Sequence, residues 1–186
     1  MISPRLLVFA LLAACGAATG GVGPGTAAAP PPGDASADIA RVLDDWHDAA
    51  AHADEARYFG HLSEDSIFLG TDATERWSKS AFQAYAHPHF ERGRAWTFHS
   101  VRRDIVVEGA LAWFDEDLDT EGLGPARGSG VLRWQDGRWQ IVQYNLAITV
   151  PNERFGEVKA LLEAATEPEV PEPEPEASES EGEDEL

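Results

Sequence analysis

GSGVLRWQDGRWQIVQYNLAITV, residues 128–150, is the stretch from which the fold can be predicted. Two runs of alternating apolar residues flank Asp136 and Gly137, and a two-residue Asp-Gly loop is the strongest short-range signal for a β-hairpin. Counting outward from the turn gives four pairs on one face: Trp134 with Trp139, Leu132 with Ile141, Gly130 with Gln143, and Gly128 with Asn145. Glycines opposite amides leave open space over Gln143 and Asn145. We interpret this space as a pocket.

The rest of the domain is predicted to form helices first and long strands afterwards. Apolar residues at helical spacing predict a helix over residues 36–50, with Ser36 as its N-cap. Further helices are predicted over residues 54–62, 80–88 (ended by Pro88) and 152–162. Strands are predicted over residues 66–69, 96–107 and 111–119. This order predicts an α+β fold, a cone-shaped curved antiparallel sheet with N-terminal helices packed on one face.

Length and charge limit the possible functions. The 186 residues, 43% of them apolar, suffice for one domain with tails. Acidic residues outnumber basic ones 33 to 14, which argues against nucleic acid as a partner of the folded part. Residues 164–186 are rich in Pro and Glu and poor in apolar residues, so we predict a disordered acidic tail.

The N-terminus resembles a bacterial lipoprotein signal. Residues 1–14 have the short apolar run of a secretory signal peptide, and Leu12-Ala13-Ala14-Cys15 resembles a lipobox, in which the cysteine is lipidated. Residues 15–37 read as a Gly/Ala/Pro-rich tether. We therefore expect a membrane anchor at Cys15 and a location in the bacterial cell envelope, facing the periplasm or the outer membrane. The alternative is a plain signal peptide in which Cys15 is incidental.

Four segments carry a family resemblance: FLGTDATERW (68–77), WFDE (113–116), RGSGVL (127–132) and WQIVQYNL (139–146). They resemble the SnoaL-like branch of the nuclear transport factor 2-like superfamily, over roughly residues 38–163. The resemblance implies a fold that hosts isomerases, cyclases, dehydratases and binding domains, and that often dimerises through a sheet face. Isomerases of this superfamily carry an Asp base after the strand that is here 67–69. Gly70 stands there instead, which weakens an isomerase assignment.

The register of the hairpin also predicts the candidate site residues. Extended to the preceding strand, it places Asp115 opposite Gly130, near Asn145. A desolvated carboxylate there would have a raised pKa and could act as a general acid or base, so Asp115 and Asn145 are candidate catalytic residues. The alternative is that Asp115 is solvated or paired with a cation such as Arg102. The candidate ligand-binding residues are Trp46, Asp72, Trp77, Trp113, Gln143, Asn145, Gly128 and Gly130.

Other sequence features give further expectations. For Asp72, local capping of its own loop is the alternative to ligand binding. No set of His, Asp and Glu has metal-ligand spacing, so we expect neither a metal nor a cofactor. The opposite sheet face is predicted to be apolar and suited to a homodimer, through Phe114, Val131, Val142, Tyr144, Leu146 and Ile148.

Three functions remain open at this point. The first is a lipid-anchored envelope domain that binds a small apolar or amphipathic molecule, or a protein partner, without chemistry. The second is a small cofactor-free enzyme of cyclase, isomerase or hydrolase type that uses Asp115. The third is a dimeric structural module.

Overall fold

The structure is a computed structural model and describes residues 33–166. The helices are α1 (Ala35–Ala51), α2 (Glu55–Gly60), α3 (Lys79–Glu91) and α4 (Phe155–Thr166), with a 3-10 turn at Asn152–Arg154. The strands are β1 (Leu62–Leu69), β2 (Arg76–Ser78), β3 (Phe98–Glu108), β4 (Leu111–Thr120), β5 (Ala126–Gln135) and β6 (Arg138–Ile148). The predicted signal peptide, Cys15, and most of the predicted tether and tail lie outside the described residues. No helix within residues 33–166 is long and apolar enough to cross a membrane.

The strands form one sheet in the order β2-β1-β6-β5-β4-β3. The pairing of β1 with β6 is parallel, and the other neighbours are antiparallel. Helix α1 packs on β3 and β6, and α3 packs on β1 and β2. We call the helix-covered side of the sheet the inner face and the other side the outer face. The predicted α+β fold, with helices on one face of a curved sheet, is confirmed.

Helix ends follow local hydrogen bonding, and two predictions about them were wrong. The cap of α1 is Asp34, whose side chain accepts a hydrogen bond from the amide of Ala37 (3.2 Å), so Ser36 lies inside the helix. Helix α3 does not end at Pro88 but continues to Glu91. Its last turn carries Phe90, whose buried ring contacts Tyr58, and this burial outweighs the hydrogen bond that a proline removes.

The hairpin contains a β-bulge that the sequence prediction missed. Near the turn, Trp134 pairs with Trp139 and Leu132 with Ile141, as predicted. The register then shifts between Leu132 and Val131, and the extra residue is Val142. Beyond the shift, Gly130 pairs with Tyr144 and Gly128 with Leu146. The predicted pairs of Gly130 with Gln143 and of Gly128 with Asn145 are therefore wrong.

A slip of one residue moves every later side chain to the opposite face. Tyr144 and Leu146 consequently lie on the inner face and are buried, whereas Gln143 is exposed. The space over Gly130 is occupied: an added Cβ would lie 2.9 Å from Cε1 of Phe114 and closer still to the carbonyl oxygen of Gln143. The prediction that Phe114, Tyr144 and Leu146 lie on an exposed apolar face is wrong, because they form part of the core.

Candidate functional site

A cavity of about 540 Å³ lies between α3 and the inner face of the sheet, at one end of the domain. The loop after β1, the loop between α3 and β3, and the turn between β4 and β5 surround its opening. Six aromatic residues line it: Phe68, Trp77, Phe82, Tyr85, Trp96 and Phe98. Ligand pockets in proteins are commonly of this size and mainly apolar. We call this space the aromatic cavity.

The aromatic rings are held in nearly parallel orientations. Phe82 stacks on Phe68 at a centroid distance of 3.9 Å and an interplanar angle of 16°, and lies 5.9 Å from Trp96 at 28°. Trp77 and Tyr85 stack at 5.2 Å and 23°. Phe82 and Tyr85 are three residues apart on α3, and this spacing places their side chains on one face of the helix. The wall of the cavity is therefore built from ring faces of similar orientation.

Two carboxylates, an imidazole and a guanidinium lie at the cavity, those of Glu75, Glu121, His89 and Arg94. Arg94 and Glu121 form an ion pair that links the loop before β3 to the turn after β4. The guanidinium of Arg92 donates a hydrogen bond to Nδ1 of His89 (2.8 Å). Oε2 of Glu75 accepts a hydrogen bond from the backbone amide of Asp72 (3.2 Å). An apolar space with a few polar groups at its opening suits an amphipathic molecule.

Gly70 allows Glu75 to reach its position. A Cβ on residue 70 would lie 2.9 Å from Cδ of Glu75 and closer still to Oε2. The amide of Gly70 also donates to the carbonyl oxygen of Glu75 at 3.0 Å, which closes the loop. Gly70 thus provides the space that the Glu75 carboxylate occupies at the opening of the aromatic cavity.

The structure places the predicted loop residues near the aromatic cavity. Trp77 lines it, as its assignment as a ligand-binding residue requires. Asp72 is exposed, and its Oδ1 accepts hydrogen bonds from the amide (2.8 Å) and the hydroxyl (2.6 Å) of Thr74. These two hydrogen bonds hold the pKa of the Asp72 carboxyl below its ordinary value. Asp72 therefore caps its own loop, as the alternative interpretation proposed.

Asp115 and Asn145 lie on the outer face of the sheet, away from the aromatic cavity. Asp115 pairs with Ser129 rather than with Gly130, and Ser129 pairs with Asn145. The carboxylate of Asp115 is 46% exposed and lies 3.2 Å from the guanidinium of Arg102. The predicted position of Asp115 inside the pocket is therefore wrong, and the structure shows the alternative, an ion pair with Arg102.

The remaining predicted ligand-binding residues divide between the outer face and the core. Trp113 is exposed on the outer face, and Gln143 lies there too. Trp46 is fully buried and stacks on Tyr58 at 5.0 Å. Gly128 is also buried, because Tyr144 and Glu116 approach the position that a Cβ would occupy. None of these four residues lines the aromatic cavity, and the predicted places of Trp113, Gln143 and Gly128 depended on a hairpin without a bulge.

A buried ionic cluster was missed by the sequence prediction. Glu116 is 0% exposed on the inner face, where its Oε1 lies 2.7 Å from Nε2 of His47. Its Oε2 accepts a hydrogen bond from Nε of Arg103 (2.8 Å), and Arg103 reaches Asp44 on α1 at 2.7 Å. Burial alone would raise the pKa of Glu116, but the hydrogen bonds and charges of His47 and Arg103 outweigh it and lower the pKa. The cluster joins α1 to β3 and β4.

The same carboxylate affects its neighbour Tyr144. Burial, and next the negative charge of Glu116, raise the pKa of the Tyr144 phenol well above 10.0. A second cavity of about 270 Å³ lies beside His47.

The sequence contains one signal for this buried carboxylate. Phe114, Glu116 and Leu118 alternate along β4, which places Glu116 on the same face as two apolar residues that point toward the core.

The family profile described as SnoaL-like domain matches residues 39–151, and the chain belongs to this family. No curated protein sequence matches the chain significantly. The match covers most of α1, all of α2 and α3, and all the strands of the described sheet.

Solved structures with a similar fold include two described as NTF2-like proteins. One, from Pseudomonas putida and of unknown function, has a TM-score of 0.55 and 16% identity, covering 64% of this chain and 92% of that one. The other, from Cytophaga hutchinsonii, has a TM-score of 0.55 and 15% identity, covering 63% and 100%. A protein of unknown function with a cystatin-like fold from Nostoc punctiforme has a TM-score of 0.52 and 14% identity, covering 61% and 90%. At these identities the likenesses show the fold alone.

Proposed function

We propose that this SnoaL-like domain binds a small amphipathic molecule in the aromatic cavity. The observation that carries the proposal is the cavity itself, about 540 Å³ lined by six aromatic side chains, with charged groups at its opening. Pockets of 300–1,000 Å³ typically enclose most of the surface of a small ligand. The apolar part of the ligand would contact the rings of Phe82 and Trp96, and its polar part would face the opening.

The residues around Asp115 give no comparable support for acid–base catalysis. Asp115, Asp104 and Asp117 share ion pairs with Arg102 on the outer face. These carboxylates are all more than two-fifths exposed and are paired with Arg102, so none of them is the desolvated carboxyl that the catalytic hypothesis requires. We therefore favour binding over the enzymatic function that the sequence had left open.

A blocking substitution tests the proposal. Thr71 is exposed and lines the aromatic cavity, so Thr71→Trp should fill its opening without disturbing the core. Ala73 is exposed in the same loop and does not line the cavity, so Ala73→Trp is the matched control. The dissociation constant of a neutral dye such as Nile red should rise at least about tenfold in Thr71→Trp only, a loss of about 1.4 kcal/mol. Equal binding by both variants and the wild type would contradict the proposal.

We also propose that Cys15 carries a lipid and anchors the domain to the bacterial envelope. The support is the sequence alone: this is the one Cys of the chain, and it follows Leu12-Ala13-Ala14. Stable anchoring needs more than one acyl chain, which lipoprotein maturation supplies. Cys15→Ser should move the protein from the membrane fraction to the soluble fraction, and a variant that stayed with the membranes would contradict the anchor.

The partner we propose is a second copy of this chain, bound through the outer face. Val106, Trp113 and Val131 form a row across three adjacent strands, and Trp113 is 46% exposed. Exposed apolar patches of this kind commonly mark protein interfaces. Trp113→Lys should shift a dimer to monomers in sedimentation velocity, whereas Val101→Lys, at another exposed apolar residue of β3, should leave it dimeric. A wild-type protein that is monomeric at all concentrations would contradict the interface.

A further inference from the structure

The charges around the aromatic cavity indicate what kind of polar group the ligand carries. This step rests on the proposed binding function. Arg94 is paired with Glu121, and His89 accepts a hydrogen bond from Arg92. Among the residues that the structure describes, none places a cationic group within ion-pair distance of the Glu75 carboxylate. Glu75 thus lies at a mainly apolar cavity, and its carboxylate has no cationic partner among the described residues.

The position of Glu75 is fixed before any ligand binds. Its Oε2 accepts the amide of Asp72, its carbonyl oxygen accepts the amide of Gly70, and Gly70 leaves room for it by lacking a Cβ. A side chain that is already held in place loses less conformational entropy when it binds a ligand. A carboxylate oriented in this way is suited to pairing with a cation.

The neighbouring rings would add to the attraction for a cation. Glu75 directly precedes β2, and Trp77 is two residues farther along, where an extended chain directs side chains to the same side. Both line the aromatic cavity, and Trp77 stacks on Tyr85 through one ring face. Cations within about 6 Å of an aromatic ring face are attracted to it, most strongly by Trp. An anion would be repelled by Glu75 and by the net charge of −19.

We propose that the aromatic cavity selects an organic cation, an amine or quaternary ammonium joined to an apolar body. The ammonium group lies between Glu75 and the Trp77 ring, and the apolar body extends along Phe82 and Trp96. The ligand class is thereby narrowed from amphipathic molecules in general to cationic ones.

Two probes of the same shape distinguish the effect of the ligand's charge from the effect of its size. (4-Hydroxybenzyl)trimethylammonium has a positively charged nitrogen at the position where 4-neopentylphenol has a neutral carbon. Dissociation constants are measured by calorimetry at low salt, with the benzoate 4-tert-butylbenzoate as the anionic probe. We expect the wild-type protein to bind the cation at least about tenfold more tightly than its neutral isostere, and the anion most weakly.

Substitution of Glu75 then tests the residue. Glu75→Gln keeps an oxygen that can accept the Asp72 amide, and should reduce the preference for the cation to about threefold or less. The affinity for 4-neopentylphenol should stay unchanged. Glu108→Gln, at an exposed carboxylate that does not line the aromatic cavity, makes the same charge change and should keep the preference.

The outcomes distinguish this inference from the proposed function. Equal binding of the cation and its isostere to the wild type, or a preference that survives Glu75→Gln, would overturn the cation inference and leave the binding function standing. Preference for the benzoate would also overturn it. Failure of all three probes to bind would count against both.

Discussion

The substitution Gly130→Ala tests the β-bulge, on which the whole arrangement of the inner face depends. The new Cβ would lie 2.9 Å from Cε1 of Phe114 and closer to the carbonyl oxygen of Gln143. Phe114 is buried, and the Gln143 carbonyl belongs to the adjacent strand β6, so neither can move away freely. Overpacking of this kind costs typically 1–3 kcal/mol, and contact with backbone places the expected loss of unfolding free energy near the upper end, at about 3 kcal/mol.

The measurement is urea unfolding followed by tryptophan fluorescence, together with the thermal midpoint. For a domain of this size a loss of about 3 kcal/mol lowers the midpoint by roughly 10 °C. Gly60→Ala is the control, because a Cβ at Gly60 meets no atom within 4 Å. A Gly130→Ala protein within about 0.5 kcal/mol of the wild type, the ordinary range for a surface change, would refute the shifted register. Such a result would instead support the open space over Gly130 that a hairpin without a bulge predicts.

Two further predictions concern the buried carboxylate and the loop glycine. Glu116→Gln should lower the unfolding free energy by about 3–5 kcal/mol at pH 7, as expected when one partner of a buried ion pair is removed; a loss below 1 kcal/mol in urea unfolding would contradict the cluster with His47 and Arg103. The pKa of Glu116 in the folded protein lies below its ordinary value of 4.5, so its contribution to the unfolding free energy is complete above pH 4.5 and is lost as the pH falls through the folded pKa. On acidification from pH 5, the wild type should therefore lose more unfolding free energy than Glu116→Gln. Gly70→Ala should displace Glu75 and weaken binding of the trimethylammonium probe at least about threefold, with the neutral probe unaffected; unchanged affinity for the cation would show that Glu75 does not need this space.

The elements with strong local signals could be predicted from the sequence. The Asp136 and Gly137 turn and the presence of a first helix around residues 36–50 follow from turn chemistry and helical spacing, and both are as expected. The bulge left only a weak trace, two adjacent apolar residues at Ile141 and Val142 in an otherwise alternating strand. Because a single extra residue reverses the faces, one missed bulge was enough to misplace Asp115.

The candidate site was predicted only where it lies in one continuous segment. Trp77 is predicted from the sequence to bind a ligand, and it lines the aromatic cavity. Phe82, Trp96 and Phe98 come from α3, a loop and β3, and they meet only because the helix packs on the sheet. Their spacing along the chain does not indicate that they lie close together, because this proximity depends on tertiary packing.

The most direct test of the central claim uses the six tryptophans of the chain as reporters. The indole N–H signals of ¹⁵N-labelled protein, assigned by single Trp→Phe substitutions, are followed by NMR during titration with 4-neopentylphenol. Binding in the aromatic cavity should shift the signals of Trp77 and Trp96, which line it. Trp113, exposed on the outer face, should keep its position. A titration that shifts Trp113 and leaves Trp77 and Trp96 unchanged would contradict the assignment of the aromatic cavity as the binding site.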